Sequence, residues 1–306
     1  MKVAVFGAGG VGAYLGGRLA QAGADVHLIA RGDHLAALRE SGLQVESVAG
    51  DFEVDLPATD DPAEVGPCDF VLFTVKAYDT ESAAAQLGPL LGEHTAVITF
   101  QNGVDNEARI AGAVGREHVM GGVAQIFSTI GASGVIQHTG GPARFVFGEL
   151  DGSRSERAER FLDACERATG VDPELSTDVE VAVWEKAAFI CAQSGMTAAV
   201  RLPLGDIRSV PESWGMYRRV VEEVVAVGRA AGVDLSGDAV DRLVDFAEGL
   251  EDDAYSSLHY DLTHGNRMEV EALYGAVRKR AGANGVEVPM NEALYAILAP
   301  WAVRNG

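Results

Sequence analysis

A glycine-rich turn between a short apolar strand and a helix constrains the fold of this chain more than any other feature. Residues Val3 to Phe6 form a continuous apolar run, which is typical of a strand buried on both faces of a parallel sheet. Residues Gly7 to Gly12 read G-A-G-G-V-G, and a helix is predicted from Val11 to about Ala22. The pattern G-x-G-x-x-G in this context predicts the first βαβ unit of a dinucleotide-binding fold.

Each small residue of the turn has a physical reason to be there. Gly7 permits the tight turn, Gly9 lets the backbone approach a pyrophosphate, and Gly12 lets the helix pack closely on the strand. Together with Gly10 and Val11 at the helix N-terminus, these residues are predicted to bind the phosphates of a dinucleotide cofactor. A flavin dinucleotide is chemically possible, although the chain shows no room for the long additional segments of a flavoprotein domain.

The end of the second strand predicts which nicotinamide cofactor binds. Val26 to Ile29 form that strand, and an NAD site usually has Asp or Glu at its end to accept hydrogen bonds from the ribose 2′-hydroxyl. Arg31 stands there instead, and a guanidinium can bind a 2′-phosphate and stack on adenine. Arg31 could also be a solvated surface residue, and the nearby Asp33 leaves NAD open, but the sequence favours NADP.

The pattern of apolar residues divides the chain into two domains. Short apolar runs alternate with amphipathic stretches over residues 1–176, which predicts a Rossmann-type α/β domain with a parallel sheet. From residue 177 to residue 306 apolar residues recur at helical spacing, which predicts an all-helical substrate and catalytic domain. The length of 306 residues suits two domains of ordinary size.

Composition excludes several classes of function. The chain has 45 acidic and 24 basic side chains and a formal charge of −21, so nucleic-acid binding, which needs a basic surface, is not expected. No apolar run reaches the roughly 20 residues of a membrane span. Cys68, Cys165 and Cys191 are widely spaced, as expected for reduced thiols, and no cluster has the spacing of metal ligands. We therefore expect a soluble cytoplasmic protein without a metal site.

Three polar residues occupy positions that suggest chemistry. Lys76 follows the apolar run 70–75 and Asn102 follows the run 96–100, so both should lie at the carboxyl edge of the sheet, where α/β folds bind ligands. Lys186 opens an otherwise apolar helix, which is costly unless the ammonium has a partner or a function. Considered alone, Lys76 could be a solvated side chain and Asn102 part of a simple turn.

The order of these motifs resembles that of the ketopantoate reductase (2-dehydropantoate 2-reductase) family along essentially the whole chain. The matching segments are the turn from Gly7, Arg31-Gly32, Lys76, Gln101-Asn102-Gly103, His138, Gly148-Glu149, Trp184-x-Lys186 and Ser256-Ser257…Asp261…Arg267-x-Glu269. The resemblance implies an NADP-dependent oxidoreductase that reduces a 2-oxo acid. In this family the reaction converts ketopantoate to pantoate, a step of pantothenate biosynthesis.

The resemblance also implies a role for each matching residue. Lys186 is expected to be the general acid that protonates the ketone oxygen as hydride arrives, and Glu269 to hold Lys186 and the ribose end of the site in position. Asn102 is expected to bind the nicotinamide ribose and a substrate hydroxyl, Ser257 the substrate carboxylate, and Lys76 the cofactor. Because hydride addition to a carbonyl leaves an alkoxide, a proton donor beside that oxygen is chemically required. Partial desolvation should lower the pKa of such a lysine.

Three positions depart from the family pattern. Where the family has asparagines one and two turns after the lysine, this chain has Ile190 and Ser194, and Met268 replaces a threonine. Isoleucine donates no hydrogen bond, so either Gln193 or Ser194 contacts the substrate instead or the substrate differs. Ketopantoate is the first expectation, another branched or aromatic 2-oxo acid the second, and a non-catalytic NADP-binding sensor the alternative from a different class. The long helices of the second domain could also form a homodimer interface.

Overall fold

The computed structural model describes residues 1–306 and divides them into two compact units. The first unit comprises Met1–Gln101 and Asn106–Val179, and the second comprises Asn102–Asp105 and Glu180–Gly306. The sequence predicted a single boundary at residue 177. The structure instead assigns the four residues after Gln101 to the second unit, although they lie between two segments of the first.

A single ten-stranded sheet forms the centre of the first unit. Its strands are β1 (Lys2–Phe6), β2 (Asp25–Ile29), β3 (Leu43–Ser47), β4 (Phe52–Val54), β5 (Ala58–Thr59), β6 (Phe70–Phe73), β7 (Ala96–Thr99), β8 (Val119–Ala132), β9 (Val135–Glu149) and β10 (Asp172–Leu175). In space they follow the order β4-β3-β9-β8-β7-β6-β1-β2-β5, and β10 pairs with β9 in addition.

The sheet is mixed, whereas the sequence predicted a parallel one. Every neighbouring pair from β5 to β8 in the spatial order is parallel, as in a Rossmann-type fold. The pairs β8–β9 and β3–β4 are antiparallel. Only two residues connect β8 to β9, and so short a connection can join two strands only as a hairpin. The predicted fold class is confirmed, with this hairpin added to the sheet.

Helices of the first unit alternate with the strands. They are α1 (Gly10–Gln21), α2 (Gly32–Ser41), α3 (Pro62–Val65), α4 (Thr80–Ala84), α5 (Asn106–Val114) and α6 (Glu156–Glu166). The continuous apolar run of β1 is explained by burial on both faces, because Val3 and Val5 belong to one buried cluster and Ala4 and Phe6 to another. α1 packs so closely on β1 that a Cβ at Gly12 would lie 2.8 Å from Val5 Cγ1.

The second unit is helical, as predicted. Its helices are α7 (Val179–Val200), α8 (Leu204–Arg208), α9 (Pro211–Ala230), α10 (Ala239–Glu248), α11 (Ser257–Thr263), α12 (Ala276–Asn284) and α13 (Pro289–Arg304), and one π-helical turn (Glu271–Gly275) precedes α12. α9 packs against α8, α10, α12 and α13. The sequence placed Lys186 at the start of a helix, but α7 begins at Val179, so Lys186 lies in its second turn. None of the helices combines the length and the apolar character that crossing a membrane requires.

Candidate active site

The glycine-rich turn has the open backbone that a dinucleotide needs. Gly7 adopts φ +96°, in the left-handed region that favours glycine, and a Cβ there would lie 2.8 Å from Val75 N. Gly9 differs, because no heavy atom beyond its chain neighbours lies within 4 Å of the place a Cβ would take. The glycine at position 7 is therefore required by the fold, whereas the space at Gly9 is open to a ligand.

The first turn of α1 supplies hydrogen-bond donors beside that space. Gly9 is the N-cap, no side chain caps the helix, and the first turn carries no acidic residue. The amides of Gly10, Val11 and Gly12 therefore have no acceptor within the helix. The backbone of Ser128 lies against Gly10, with its carbonyl carbon 2.5 Å from the place of a Cβ, and the buried Ser128 Oγ makes no hydrogen bond. These residues fit the anionic pyrophosphate of a dinucleotide.

Arg31 lies two residues after the end of β2, where the sequence predicted a partner for a 2′-phosphate. Its side chain is 79 % exposed, and one guanidinium nitrogen lies 2.9 Å from Asp79 Oδ2. Exposed ion pairs of this kind contribute only about 0–1 kcal/mol, so a phosphate could replace the carboxylate at small cost. Asp33, the alternative partner for NAD, is also exposed and lies in the first turn of α2.

A buried glutamine holds together the carboxyl ends of β6 and β7. Gln101 Nε2 donates to Val75 O over 2.8 Å and to Thr80 Oγ1 over 2.9 Å, and its Oε1 accepts from Thr99 Oγ1 over 3.1 Å. Lys76 directly follows Val75 and is exposed at this edge, as predicted. The sequence analysis noted Gln101 only as part of a motif, and its bridging role was missed.

Asn102 belongs to the second unit although it follows a strand of the first. Its segment ends at Asp105, whose Oδ1 accepts a hydrogen bond of 2.7 Å from Arg280 Nε of α12. This ion pair anchors the segment to the helical unit. The structure therefore groups Asn102 with Lys186 in one compact unit.

Lys186 and Glu269, the two predicted catalytic residues, interact electrostatically within the second unit. Burial lowers the pKa of Lys186 to about 8, and the carboxylate of Glu269 acts in the opposite direction and raises it. Glu269 is itself buried, with 8 % of its surface exposed. The neighbouring acid on α7, Glu185, pairs instead with Arg242 at 2.5 Å. The arrangement gives an ammonium that releases its proton more readily than an ordinary lysine does.

A buried tyrosine fixes the segment after Glu269 against α7. Tyr274 lies in the π-helical turn, and its hydroxyl donates to Cys191 O over 2.7 Å. A Cβ at Gly195 would lie 2.5 Å from the same hydroxyl, so only glycine permits this approach. The contact holds the π-helical turn that follows Glu269 against the helix that carries Lys186. No local sequence pattern identified Tyr274, because its partner lies 83 residues away.

Ile190 and Ser194, which stand where the family has asparagines, lie one and two turns along α7 from Lys186. Ile190 is half-buried and Ser194 is buried, and their spacing of four places both on the face that carries Lys186. Gln193 is buried as well, and its Oε1 accepts from Tyr217 OH at 3.4 Å. The side-chain oxygen of Gln193 therefore already accepts a hydrogen bond within the unit. Ser194 is better placed than Gln193 to make a polar contact with the substrate.

Two neighbouring serines at the start of α11 have different roles. Ser256 is the N-cap, where its Oγ accepts from His259 N and lies 2.8 Å from Thr197 Oγ1 of α7. These bonds hold the start of α11 against α7. Ser257, the first residue of the helix, is exposed. Ser256 is therefore used by the fold, and Ser257 is the serine available to a ligand.

Two other motif positions serve the fold of the first unit. His138 is buried in β9, with Nδ1 2.8 Å from Ser47 Oγ and Nε2 3.0 Å from Gly140 O. Glu149 receives two hydrogen bonds of 2.7 Å from the guanidinium of Arg157. Both side chains have their polar atoms occupied within the unit.

Comparison with known proteins relates the whole chain to one family. The family described as ketopantoate reductase PanE/ApbA matches residues 3–152, and its C-terminal part matches residues 178–301. The 2-dehydropantoate 2-reductase of Halobacterium salinarum is 33 % identical over 100 % of both chains. The crystal structure of a PanE/ApbA family ketopantoate reductase from Ralstonia eutropha JMP134 is 34 % identical with a TM-score of 0.91, covering 100 % of this chain and 99 % of that one.

A more distant solved structure shares the fold alone. The ternary structure of D-mandelate dehydrogenase with NADH and anilino(oxo)acetate has a TM-score of 0.90 over 100 % of this chain and 99 % of that one, at 21 % identity. At this identity the likeness carries no information on substrate or cofactor. The choice of substrate must therefore be argued from the residues of the site.

Removing the Glu269 carboxylate is expected to lower the pKa of Lys186 below about 8, because burial then acts without an opposing charge. The chain has four lysines, so an NMR titration of protein labelled with ¹³C-lysine can follow Lys186 individually. The variant is Glu269→Gln, and Glu271→Gln, an exposed acid two residues further, is the matched control. An unchanged Lys186 midpoint in Glu269→Gln would contradict the pairing.

Proposed function

Because the chain belongs to the ketopantoate reductase family and is an oxidoreductase, we propose that it reduces 2-dehydropantoate (ketopantoate) to pantoate with NADPH. The observation that carries the proposal is the ammonium of Lys186, which lies in an apolar helix. Burial lowers its pKa to about 8, while the Glu269 carboxylate acts in the opposite direction. A purely binding protein has no use for such a costly group.

Lys186 is the general acid of the proposed reaction. NADPH, when bound, would supply a hydride for C2, the carbonyl carbon of the 2-oxo acid. As the C=O π electrons move to oxygen, the Lys186 ammonium donates a proton to that oxygen, which gives the 2-hydroxy acid and a neutral amine. A lysine with a pKa of about 8 is still protonated at neutral pH and is a stronger acid than an exposed lysine. Glu269 is the positioning residue that keeps it protonated.

Four groups of residues are proposed to hold the cofactor. The turn from Gly7 to Gly12 would bind the pyrophosphate through its open backbone and the free amides of α1. Arg31 would bind the 2′-phosphate, since its guanidinium is exposed and its partner Asp79 is replaceable. Lys76 at the end of β6 and Asn102 would complete the binding of the cofactor.

Ser257, Ser194 and Asn102 are the proposed substrate contacts. Ser257 is exposed at the start of α11 and would bind the carboxylate, while Ser194 lies two turns beyond Lys186. Ile190 lies between Lys186 and Ser194 on α7 and offers only apolar surface. This residue favours a second candidate function, the reduction of another branched or aromatic 2-oxo acid that lacks the hydroxyl of ketopantoate.

NADPH oxidation measured with a panel of 2-oxo acids tests the proposed function. Ketopantoate, a branched aliphatic 2-oxo acid and an aromatic one distinguish the two candidates by their kcat/KM values. The proposal expects ketopantoate to have the highest value. A higher value for an aromatic or unhydroxylated acid would select the second candidate, and no oxidation with any acid would indicate a cofactor-binding sensor.

Lys186→Ala is expected to lower kcat by about a hundredfold or more, the contribution of a well-placed general acid, while the Kd for NADPH changes little. Steady-state kinetics and an NADPH binding titration measure the two effects. Lys279→Ala is the control, because this lysine is exposed on α12. A folded Lys186→Ala protein with near-normal kcat would contradict the assignment of Lys186 as the general acid. A loss of thermal stability alone would show that Lys186 has a structural role.

Arg31→Asp is expected to reverse the cofactor preference. The change removes the partner of the 2′-phosphate and offers an acceptor to the ribose hydroxyl. The transition state with NADPH should therefore lose about 2–3 kcal/mol of stabilisation, which is measured as a fall in kcat/KM. Arg31→Ala serves as the comparison, since it should lose NADPH activity without gaining NADH activity. An unchanged NADPH to NADH ratio in Arg31→Asp would show that Arg31 does not contact the cofactor.

A further inference from the structure

We propose that His34 is a positioning residue for the cofactor, because it locks the glycine-rich turn in the conformation that directs the amides of α1 toward the pyrophosphate. The inference rests on the dinucleotide site proposed above. It concerns a side chain of α2 that the motif analysis did not single out. Its imidazole connects two segments that are distant along the chain, the turn after β1 and the turn between β8 and β9.

The hydrogen bonds of His34 define its tautomer. The N–H of Gly134 lies 3.0 Å from Nδ1, and since a backbone N–H can only donate, Nδ1 must be an acceptor. The ring proton of the neutral imidazole is therefore on Nε2, which donates to Ala8 O over 2.8 Å. Burial lowers the pKa of His34, in agreement with a neutral ring. Both nitrogens are occupied, so His34 positions the backbone and exchanges no proton with a ligand.

The bond to Ala8 fixes one peptide plane of the turn. The carbonyl of Ala8 and the N–H of Gly9 are the two ends of this plane, which is rigid. Gly9 N donates to Gly7 O over 2.7 Å, and His34 holds the opposite end. α1 begins at the next residue, Gly10, so the plane determines where the first amides of the helix point. Glycines on both sides of Ala8 permit more backbone rotation than other residues would, and the bond from His34 restricts this rotation at the carbonyl end of the plane.

The opposite side of the imidazole is anchored in the sheet. Gly134 adopts φ +80° in the turn of the β8–β9 hairpin, and its carbonyl accepts from Gln44 N of β3 over 3.0 Å. The same hairpin also contacts the glycine-rich turn directly, where the backbone of Ser128 lies against Gly10. His34 therefore ties the turn to a hydrogen-bonded part of the sheet and not to a loose loop.

Two isosteric substitutions separate the two bonds of His34. In His34→Gln the amide nitrogen can take the place of Nε2 and still donate to Ala8 O, while the acceptor for Gly134 is lost. In His34→Asn the side-chain oxygen can take the place of Nδ1 and still accept from Gly134 N, but the amide is too short to reach Ala8. His34→Ala removes both bonds. Comparing His34→Gln with His34→Asn therefore shows which of the two hydrogen bonds supports binding of the cofactor.

The Kd for NADPH, measured by fluorescence titration, and the Tm of each variant are the two readouts. We expect His34→Ala and His34→Asn to bind NADPH about tenfold more weakly, the equivalent of one hydrogen bond, and His34→Gln to stay within about threefold of the wild type. Arg39→Ala is the matched control on α2, since Arg39 Nε donates to Ala58 O in β5 and not to the turn. It should lower the Tm without changing the Kd.

Each outcome bears on the inference. A wild-type protein that binds neither NADPH nor NADH overturns the proposed function and this inference with it. Normal binding by the wild type with an unchanged Kd in His34→Ala overturns the inference alone and leaves His34 a structural residue. Equal weakening in His34→Gln and His34→Asn contradicts the role of the Ala8 bond. Weaker NADPH binding in His34→Asn than in His34→Gln, at similar Tm, supports the inference, because a merely structural role would change Kd and Tm together.

Discussion

The burial of one ammonium group, that of Lys186, is the interaction on which the proposed activity depends. An isolated charge in an apolar helix is costly, and proteins normally tolerate it only beside an opposite charge. Glu269 provides this charge, and the bond from Tyr274 to α7 keeps the segment of Glu269 in place. Burial and the carboxylate act in opposite directions on the same pKa. Their balance near 8 is what gives a proton donor that is charged at neutral pH and still acidic.

The parts of the fold that depend on neighbouring residues were predicted from the sequence. The run Val3 to Phe6, the glycine turn and α1 form a local pattern, because their contacts, such as Gly12 against Val5, join residues close along the chain. The fold class, the family and the oxidoreductase class are confirmed. The electrostatic relation between Lys186 and Glu269, which the family resemblance implied, is also present in the structure.

The features that the sequence did not predict depend on distant residues. His34 and Gly134 are 100 positions apart, and a histidine in a surface helix looks the same whether or not it reaches such a partner. Gln101 likewise bridges two strand ends, and nothing in its neighbours distinguishes a buried amide from an exposed one. Asn102–Asp105 belong to the second unit, and Asp105 of this segment contacts Arg280, which is 175 positions away. The roles of the site residues remain predictions that the experiments above address.

The pH dependence of kcat/KM for 2-oxo acid reduction tests the central claim most directly. A general acid must be protonated to act, so activity should fall as the pH rises through the pKa of Lys186, close to 8, and then by about tenfold for each further pH unit. An ordinary lysine, with its pKa of 10.5, would keep its proton and its activity across this range. A profile that declines near pH 8 agrees with Lys186 as the buried proton donor. A profile that stays flat to the ordinary lysine pKa would contradict it.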